Sequence, residues 1–408
     1  MIEKLCQHME GLGAAPVPRC DCFVDEAVDA IVKIESFLVL PRWLFVRIET
    51  RQGAVGWGEA TLEGHGEAVV GAIDAARDRL LGHDPMRIED AWQKLHRLGF
   101  YRGGPVLLSA ISGIDQALWD IKARKLGVPL YELLGGRVRD RILVYAWIGG
   151  DTPQDVVAQA EARKAQGFGA VKMNATGDIG WLDCWSKVDE LVERLGSVRA
   201  TGINVGVDFH GRVHKPMARQ MLQAIEPLRP LFAEEVLLGE HLTAIEQLAS
   251  HTVVPLAMGE RLYSRWDYRP FFESGAIDII QPDLAHAGGI SECRRIAAMA
   301  ETYDVAFAPH CPIGPLALAS CLHLAAVTPN FVMQEMSLGI HYNGPSTDLV
   351  SLMKNPEIFD VKDGCVDIPQ TPGLGVELDE DVVREMARHP HSWRNPAWRG
   401  PQGELREW

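Results

Sequence analysis

The 408-residue sequence lacks the features of several protein classes. It has no run near the roughly 18 apolar residues that a membrane-spanning helix needs. Its first thirty residues contain no basic stretch followed by an apolar one, so no secretory signal is predicted. The 8 cysteines form no C-x-x-C pair of the kind found in zinc and dithiol redox sites. Together these absences predict a cytoplasmic protein with reduced thiols.

The chain is also short of positive charge. Lys and Arg total 40 against 55 for Asp and Glu, which gives a net charge of -15. So acidic a chain argues against binding to nucleic acid or to an anionic membrane. Neither G-x-G-x-x-G nor G-x-x-x-x-G-K-[ST] occurs, so a dinucleotide or P-loop site is not predicted. We therefore expect a small-molecule partner.

Organisation changes three times along the chain. Residues 1–30 form an N-terminal extension to which no role can be assigned. Residues 31–140 begin with strand patterns and continue with helical ones, which predicts an α+β lobe. Residues 141–350 alternate short apolar strands with helices, and residues 351–408 return to Pro, Gly and charged residues. We expect this last segment to pack back on the first lobe.

Eight short apolar segments lie in the alternating region. They are residues 142–148, 169–174, 203–210, 231–235, 254–260, 276–283, 305–310 and 331–335. Strands that are apolar on both faces and alternate with helices indicate a parallel sheet. Eight such units in about 200 residues fit a (β/α)₈ TIM-type barrel better than an open, doubly wound sheet.

Six consecutive strands of this barrel end in an ionisable residue. These are Asp208, Glu234, Glu260, Asp283, His310 and Glu335, spaced by about 25 residues. One carboxylate at a strand end is usually a helix cap or an ion-pair partner. Six in succession indicate a shared site, because catalytic residues of barrels lie at the carboxyl ends of the strands.

Three of these carboxylates predict a metal site. Asp208, Glu234 and Glu260 follow adjacent strands, and buried like charges need a compensating cation. Oxygen ligands with open positions suit Mg²⁺, whereas zinc favours His or Cys. The alternative is that the carboxylates pair with arginine, for which Arg261 is the candidate.

Two histidines are candidates for proton transfer. His310 follows the seventh strand, where Asp283 can orient its ring and raise its basicity. His210 lies two residues beyond Asp208 and would face the same way if the strand continues. Because the third and seventh strands of a barrel are opposite, one histidine can serve each face of a substrate, one as base and one as acid. Glu335 is placed to support a developing enolate or, alternatively, to cap a helix.

Lys172 and Asn174 lie two residues apart in the second strand and should face the same way. This spacing predicts one lysine and one neutral amide near the site.

At this point the chain resembles the mandelate-racemase-like subgroup of the enolase superfamily, over roughly residues 31–398. The matching stretches are FYRGGPVLLSAISGIDQALWDIKARKLGVPLYELLGG, DFHGRVHKPMA, GERLYSRWDY, DIIQPDLAHAGGISECRRIAAMAE, APHCPIGPLALASCLHLAAV and QEMSLGIHYN. The resemblance implies an α/β fold, in which a (β/α)₈ barrel carries an α+β capping domain formed by the N-terminal lobe and the C-terminal segment.

The resemblance also implies roles for the strand-end residues. Asp208, Glu234 and Glu260 would bind one Mg²⁺ per subunit. His310 would be the base with Asp283 as its partner, His210 the acid, and Glu335 the group that stabilises the enediolate. Lys172, Asn174 and His65 are the expected substrate-binding residues.

The implied activity is that of a hydro-lyase acting on an acid sugar, with D-galactonate as the expected substrate. Dehydration of another aldonate or aldarate, racemisation or epimerisation, and sugar-acid binding without catalysis are the alternatives. Asn174 argues against a racemase, because racemases of the subgroup carry a second lysine there. Val236 replaces the family's usual proline, and the family more often carries Arg or Lys near His65, so sugar specificity is open. Family members are often homo-oligomers, and the sequence leaves this chain's oligomeric state open.

Overall fold

The structure, a computed structural model, describes residues 29–97, 99–340, 343, 347–389, 391 and 393–408. All but the last two residues of the predicted N-terminal extension lie outside this part of the chain. Asp29 is described, and its carboxylate accepts hydrogen bonds from Thr50, Gln52 and Lys125. Within the described ranges, no helix is both long and apolar enough to cross a membrane.

The first lobe is a three-stranded antiparallel sheet covered by helices. Its elements are β1 (Ile31–Val39), β2 (Trp43–Thr50), β3 (Val55–Glu59), α1 (Gly66–Leu80), α2 (Ile88–Arg97), α3 (Pro105–Leu126) and α4 (Leu130–Leu133). Glycines in β3 let α3 approach closely. A Cβ atom at Gly56 would lie 2.3 Å from the carbonyl oxygen of Ala117, and one at Gly58 would lie 2.1 Å from that of Gly113. Side chains at these positions would push the helix off the sheet.

The second lobe is an eight-stranded parallel barrel. Its strands are β4 (Arg141–Ile148), β5 (Ala170–Asn174), β6 (Asn204–Asp208), β7 (Ala233–Glu234), β8 (Leu256–Met258), β9 (Ile279–Ile280), β10 (Ala306–Phe307) and β11 (Gln334–Met336). Neighbours pair in sequence order, and β11 returns to β4. A parallel bridge between Phe307 and Phe331, just before β11, closes the circle. The predicted barrel is therefore confirmed.

Helices surround the barrel strands. They are α5 (Pro153–Ala165), α6 (Ser186–Ala200), α7 (Lys215–Ile225), α8 (Leu242–Ala249), α9 (Arg265–Ser274), α10 (Gly289–Thr302) and α11 (Pro315–Val327). Most of the strands end earlier than predicted. After β6 and β7 the backbone turns sharply, with positive φ angles of 53° at His210 and 43° at Glu235. These turns end the strand pairing and direct the following residues into loops at the barrel mouth.

Buried carboxylates of the first lobe cap two helices of the barrel. Glu59 accepts hydrogen bonds from the backbone amides of Gly314 and Ala317, at the start of α11, at 2.8 and 3.0 Å. Asp115 accepts from the amide and hydroxyl of Ser291 in the first turn of α10. Because unpaired amides at a helix start need acceptors, these contacts join the lobes at the loops that follow β9 and β10.

The segment after the barrel contacts both lobes, not only the first. Its β12 (Cys365–Asp367) pairs antiparallel with the first half of β4. Its helix α12 (Glu380–Ala387) packs on β1, where Arg384 contacts Glu35 at 3.1 Å. The domain boundaries themselves stay a prediction.

We expect Glu35→Gln to reduce the free energy of unfolding by about 1 kcal/mol at pH 7, the upper range for a partly exposed ion pair. Burial raises the pKa of Glu35, but Arg384 and Lys33 outweigh it and bring the pKa to about 2. Folding therefore favours the ionised form, and this stabilisation disappears as the pH falls from about 4.5 toward 2. In urea unfolding, the difference from wild type should shrink between pH 7 and pH 3.5. A difference independent of pH, or equal to that of the exposed control Glu161→Gln, would contradict this.

Candidate active site

Lys172 is the centre of the charge cluster at the barrel mouth. Its Nζ lies 2.7 Å from Glu234 Oε1, 2.9 Å from Glu335 Oε1 and 3.4 Å from Asp208 Oδ2. The lysine and all three carboxylates are 1% exposed or less. Gln281 donates a further hydrogen bond to Glu234 Oε2 at 2.7 Å. Residues from five strands or strand ends are thus brought together, as their position after the strands predicts.

The cluster carries more negative charge than Lys172 neutralises. Burial and the neighbouring Asp208 raise the pKa of Glu234 well above its usual value. Burial and Glu260 raise the pKa of Glu235 to about 7. Burial would lower the pKa of Lys172, but Glu234 and Glu335 outweigh it and raise the pKa well above normal. The protein charges alone leave these carboxyl groups poorly compensated.

His310 is held between two carboxylates. Its Nδ1 lies 2.9 Å from Asp283 Oδ2, and its Nε2 lies 3.0 Å from Glu260 Oε2. A backbone bridge between Asp283 and His310 sets their relative position. Burial would lower the pKa of His310, but Glu260 and Asp283 raise it well above its usual value. The predicted pairing of Asp283 with His310 is present in the structure.

His210 reaches the cluster by a different route from the predicted one. The strand stops at Asp208, and His210 adopts a left-handed backbone conformation. Its amide donates to Asp208 Oδ1 at 2.8 Å, and the ring turns back so that Nε2 lies 3.2 Å from Asp208 Oδ2. The expectation of a continuing strand is wrong, although the side chain arrives at the same place. Burial lowers the pKa of His210.

The set of side chains closest to metal-binding geometry differs from the predicted trio. Ligand atoms of Glu234, Glu260 and His310 all lie within 4.8 Å of one another. Asp208 stands beside this set, against Lys172 and His210. The difference arises because His310 Nε2 reaches Glu260, whereas Asp208 Oδ2 faces His210 as well as Lys172. Arg261 contacts Glu260 at 3.5 Å, so the arginine alternative holds for one carboxylate of the trio.

Behind His310 and Asp283 lies a second group of charged residues that the sequence did not predict. Glu63, in the loop before α1, lies 3.5 Å from His286 Nε2 and 3.2 Å from Arg42 Nη1. His286 in turn lies 3.6 Å from Asp283. Burial would raise the pKa of Glu63, but Arg42 and His286 lower it to about 2. The only available signal for His286 is its spacing of three residues from Asp283.

Two predicted substrate-binding residues lie outside the cluster. His65 is exposed at the start of α1, and among the described residues its side chain makes no hydrogen bond to the carboxylates. Its loop neighbour Glu63 points to the site instead. Asn174 is the last residue of β5 and lies on the same face of the strand as Lys172, two residues nearer the barrel mouth. It lines a cavity there.

The chain belongs to the enolase superfamily. Residues 155–382 match the family described as enolase C-terminal domain-like. Residues 40–135 match the N-terminal domain of mandelate racemase and muconate lactonizing enzyme. The first match covers most of the barrel and part of the segment after it, and the second covers most of the first lobe, which alone is called the capping domain below.

Curated relatives cover nearly the whole chain. D-galactonate dehydratase of Ralstonia pickettii is 49% identical over 381 residues, which are 93% of this chain and 100% of the relative. D-galactonate dehydratase of Pectobacterium atrosepticum is 50% identical over the same shares.

Solved structures of similar proteins have the same fold. An enolase from Agrobacterium radiobacter, with bound sodium and L-malate, is 31% identical with a TM-score of 0.85, covering 92% of this chain and 99% of that one. A mandelate racemase/muconate lactonizing enzyme from Sulfitobacter is 28% identical with a TM-score of 0.83, covering 91% and 99%.

We expect Lys172→Met to reduce the free energy of unfolding by about 3–5 kcal/mol in EDTA, because it leaves three buried carboxylates without their shared cation. Millimolar Mg²⁺ should restore part of this loss, since a divalent ion can replace the missing charge. Urea unfolding with and without Mg²⁺ measures both effects.

The matched control is Lys187→Met, which removes a surface pair with Glu190 and should cost about 0.5 kcal/mol or less. An equally small loss for Lys172→Met would show that the lysine does not compensate the cluster.

Proposed function

We propose that this protein is a Mg²⁺-dependent acid-sugar dehydratase that converts D-galactonate to 2-dehydro-3-deoxy-D-galactonate and water. The observation that carries the proposal is the placement of two histidines at opposite sides of one buried carboxylate cluster. His310, after β10, is held by Asp283, and His210, after β6, is held by Asp208. Relatives named D-galactonate dehydratase that are about half identical over 93% of this chain support the choice of substrate.

The residues present fit a hard divalent cation. We assign its binding to Asp208, Glu234 and Glu260, which offer only oxygen ligands of the kind that Mg²⁺ prefers. The raised pKa of Glu234 supports this fit, because a buried carboxyl group with too little positive charge around it would bind a cation strongly. When bound, one Mg²⁺ per subunit would act as a Lewis acid toward the substrate carboxylate.

His310 is the proposed base. Its Nε2 would accept the C2 proton of the substrate, while Asp283 holds Nδ1–H and keeps the ring in the required tautomer. Its raised pKa has its source in Glu260 and Asp283. Neutralising Glu260 would lower that pKa toward the range of a working base.

His210 is the proposed acid. As the C3–O bond breaks, Nε2–H of His210 would give its proton to the departing hydroxyl, which leaves as water. Burial lowers the pKa of His210, which favours release of that proton. Between the two proton transfers an enediolate forms. Its oxygen would be stabilised by Lys172 and Glu335, which lie 2.9 Å apart. The resulting enol then tautomerises to the 2-keto-3-deoxy acid.

Another aldonate or aldarate is the second candidate substrate, because the loop that carries the exposed His65 lacks the Arg or Lys that the family more often has nearby. We further propose that the enzyme acts in the cytoplasm, and a homo-oligomeric state stays a prediction.

The test is incubation of the purified protein with a panel of acid sugars and Mg²⁺, with EDTA controls. Product is detected as the semicarbazone of a 2-keto-3-deoxy acid. We expect EDTA-sensitive turnover of D-galactonate. Turnover of a different aldonate would correct the substrate, and silence across the panel would contradict the dehydratase assignment.

We predict that the proton-transfer and metal-binding roles separate by mutation. His310→Asn should lower kcat by about 10²–10⁴-fold, the usual contribution of a general base, while Mg²⁺ affinity measured by calorimetry stays near wild type. Asp208→Asn should weaken Mg²⁺ binding by at least ~10-fold.

The exposed His251→Asn, on the outside of the barrel, is the matched control. If His310→Asn loses Mg²⁺ affinity instead, His310 is a metal ligand, as its proximity to Glu234 and Glu260 would then indicate.

A further inference from the structure

We infer that residues 393–408, here called the Trp393–Trp408 segment, form the outer wall of the active site. Together with Arg212, this wall binds the hydroxyl groups at the end of the substrate away from its carboxylate. The inference rests on the proposed function, since it assigns the binding of the polyol part of the same acid sugar.

The segment is an ordered hairpin. Arg399 and Leu405 form an antiparallel bridge, the amide of Gly400 donates to Glu404 O at 2.9 Å, and the amide of Arg406 donates to Trp398 O at 3.1 Å. These bonds hold Trp398 and Arg406 side by side. Much of the hairpin is exposed, but its tryptophans and Arg406 are half-buried. The half-buried side chains are therefore the ones that contact the rest of the protein.

One end of the segment is attached to the capping domain. The Trp393 ring lies 5.4 Å from the Arg42 guanidinium, the residue that also contacts Glu63. Arg394 pairs with Glu67 at the start of α1, at 3.2 Å. The segment thus begins on the loops of the capping domain that face the barrel mouth.

The other end is attached to the barrel. Arg406 binds both oxygens of Asp178, in the loop after β5, at 3.1 Å. Trp408 returns to lie 5.6 Å from Trp393. The segment therefore crosses from the capping domain to the β5 loop and bounds the active-site mouth on that side.

Arg212 is the barrel residue that the segment holds in place. It follows His210 by two residues, is only 6% exposed, and donates from Nη1 to Thr176 O at 3.0 Å. Its guanidinium lies 4.8 Å from the Trp398 ring and 5.9 Å from the Trp408 ring, within the range of cation–π contacts. Its buried Nε has no hydrogen-bond partner among the described residues.

These groups line a cavity of about 560 Å³, which adjoins the carboxylate cluster at Asn174, the residue that pairs with Asp208 across β5 and β6. Asn174, Thr176, Arg212, Trp398 and Trp408 are among its lining residues. Asn174 Oδ1 is also buried without a hydrogen-bond partner in the described part of the chain. Buried polar groups without a hydrogen-bond partner cost free energy, so we expect a ligand to bind to Arg212 Nε and Asn174 Oδ1. An unpaired donor and an unpaired acceptor suit a hydroxyl group, which accepts and donates at once.

The cavity lies next to the proton-transfer residues along the chain. Asn174 and Arg212 each lie two residues beyond a residue of the cluster, Lys172 and His210. A substrate with its carboxylate and C2–C3 bond at the cluster would therefore extend its remaining hydroxyls toward Arg212 and Asn174. Because these contacts are remote from the reacting carbons, they should be made equally in the ground and transition states.

The experiment compares Trp398→Ala and Arg212→Lys with wild type, using the substrate found active in the panel. Both variants should raise KM by about tenfold or more, the value of a lost hydrogen bond to a charged group, and change kcat little. Trp398→Phe, which keeps an aromatic face under Arg212, should recover most of the wild-type KM. Trp185→Ala, at an exposed position outside the cavity, is the matched control.

Calorimetric binding of the acid sugar, in the presence of Mg²⁺, separates the inference from the proposed function. Normal turnover with wild-type KM in both Trp398→Ala and Arg212→Lys would overturn the wall while leaving the dehydratase assignment intact. If wild type binds an acid sugar but turns over none in the panel, a weakened Kd for that sugar in both variants would support the wall and overturn the assignment. Loss of kcat with unchanged KM and Kd, or an acid sugar that wild type does not bind at all, would overturn the inference.

Discussion

The excess of buried negative charge at the barrel mouth is the constraint on which the site depends. Asp208, Glu234 and Glu335 surround a single lysine, and Glu260 relies on His310 and Arg261. Buried carboxylates without compensation would destabilise the fold, and a dehydrating site needs an electrophile that stabilises an enolate. A bound divalent cation would satisfy both requirements, so the excess charge that costs stability would also serve the proposed chemistry.

The capping domain is coupled to this cluster through helix starts and loops of the barrel. Glu59 caps α11 just after the His310 loop, and Asp115 caps α10 just after Asp283. These cross-domain hydrogen bonds fix the two loops that carry the proposed base and its partner. The Trp393–Trp408 segment adds a third connection on the opposite side of the mouth. In the proposed mechanism, proton transfer therefore belongs to the barrel, while the shape of the proposed substrate cavity depends on both domains.

Repeating local patterns made much of this predictable from the sequence. The eight strands follow from apolar segments alternating with helices, and Asp283 and His310 follow from ionisable residues at strand ends. Contacts set by the path of the chain were not predictable. The left-handed turn at His210 replaces a continuing strand, and the contact between His310 and Glu260 depends on side-chain reach. Arg212 meets Trp398 and Trp408 only because the last segment folds back across the mouth.

Proton NMR of D-galactonate, incubated with the protein and Mg²⁺ in D₂O, tests the proposed dehydration most directly. We expect loss of the C2 proton signal together with appearance of a C3 methylene that carries one solvent deuterium. That pattern requires C2 proton abstraction, loss of the C3 hydroxyl and tautomerisation of the enol. Exchange or inversion at C2 with the C3 hydroxyl retained, or a spectrum that does not change, would contradict the central claim.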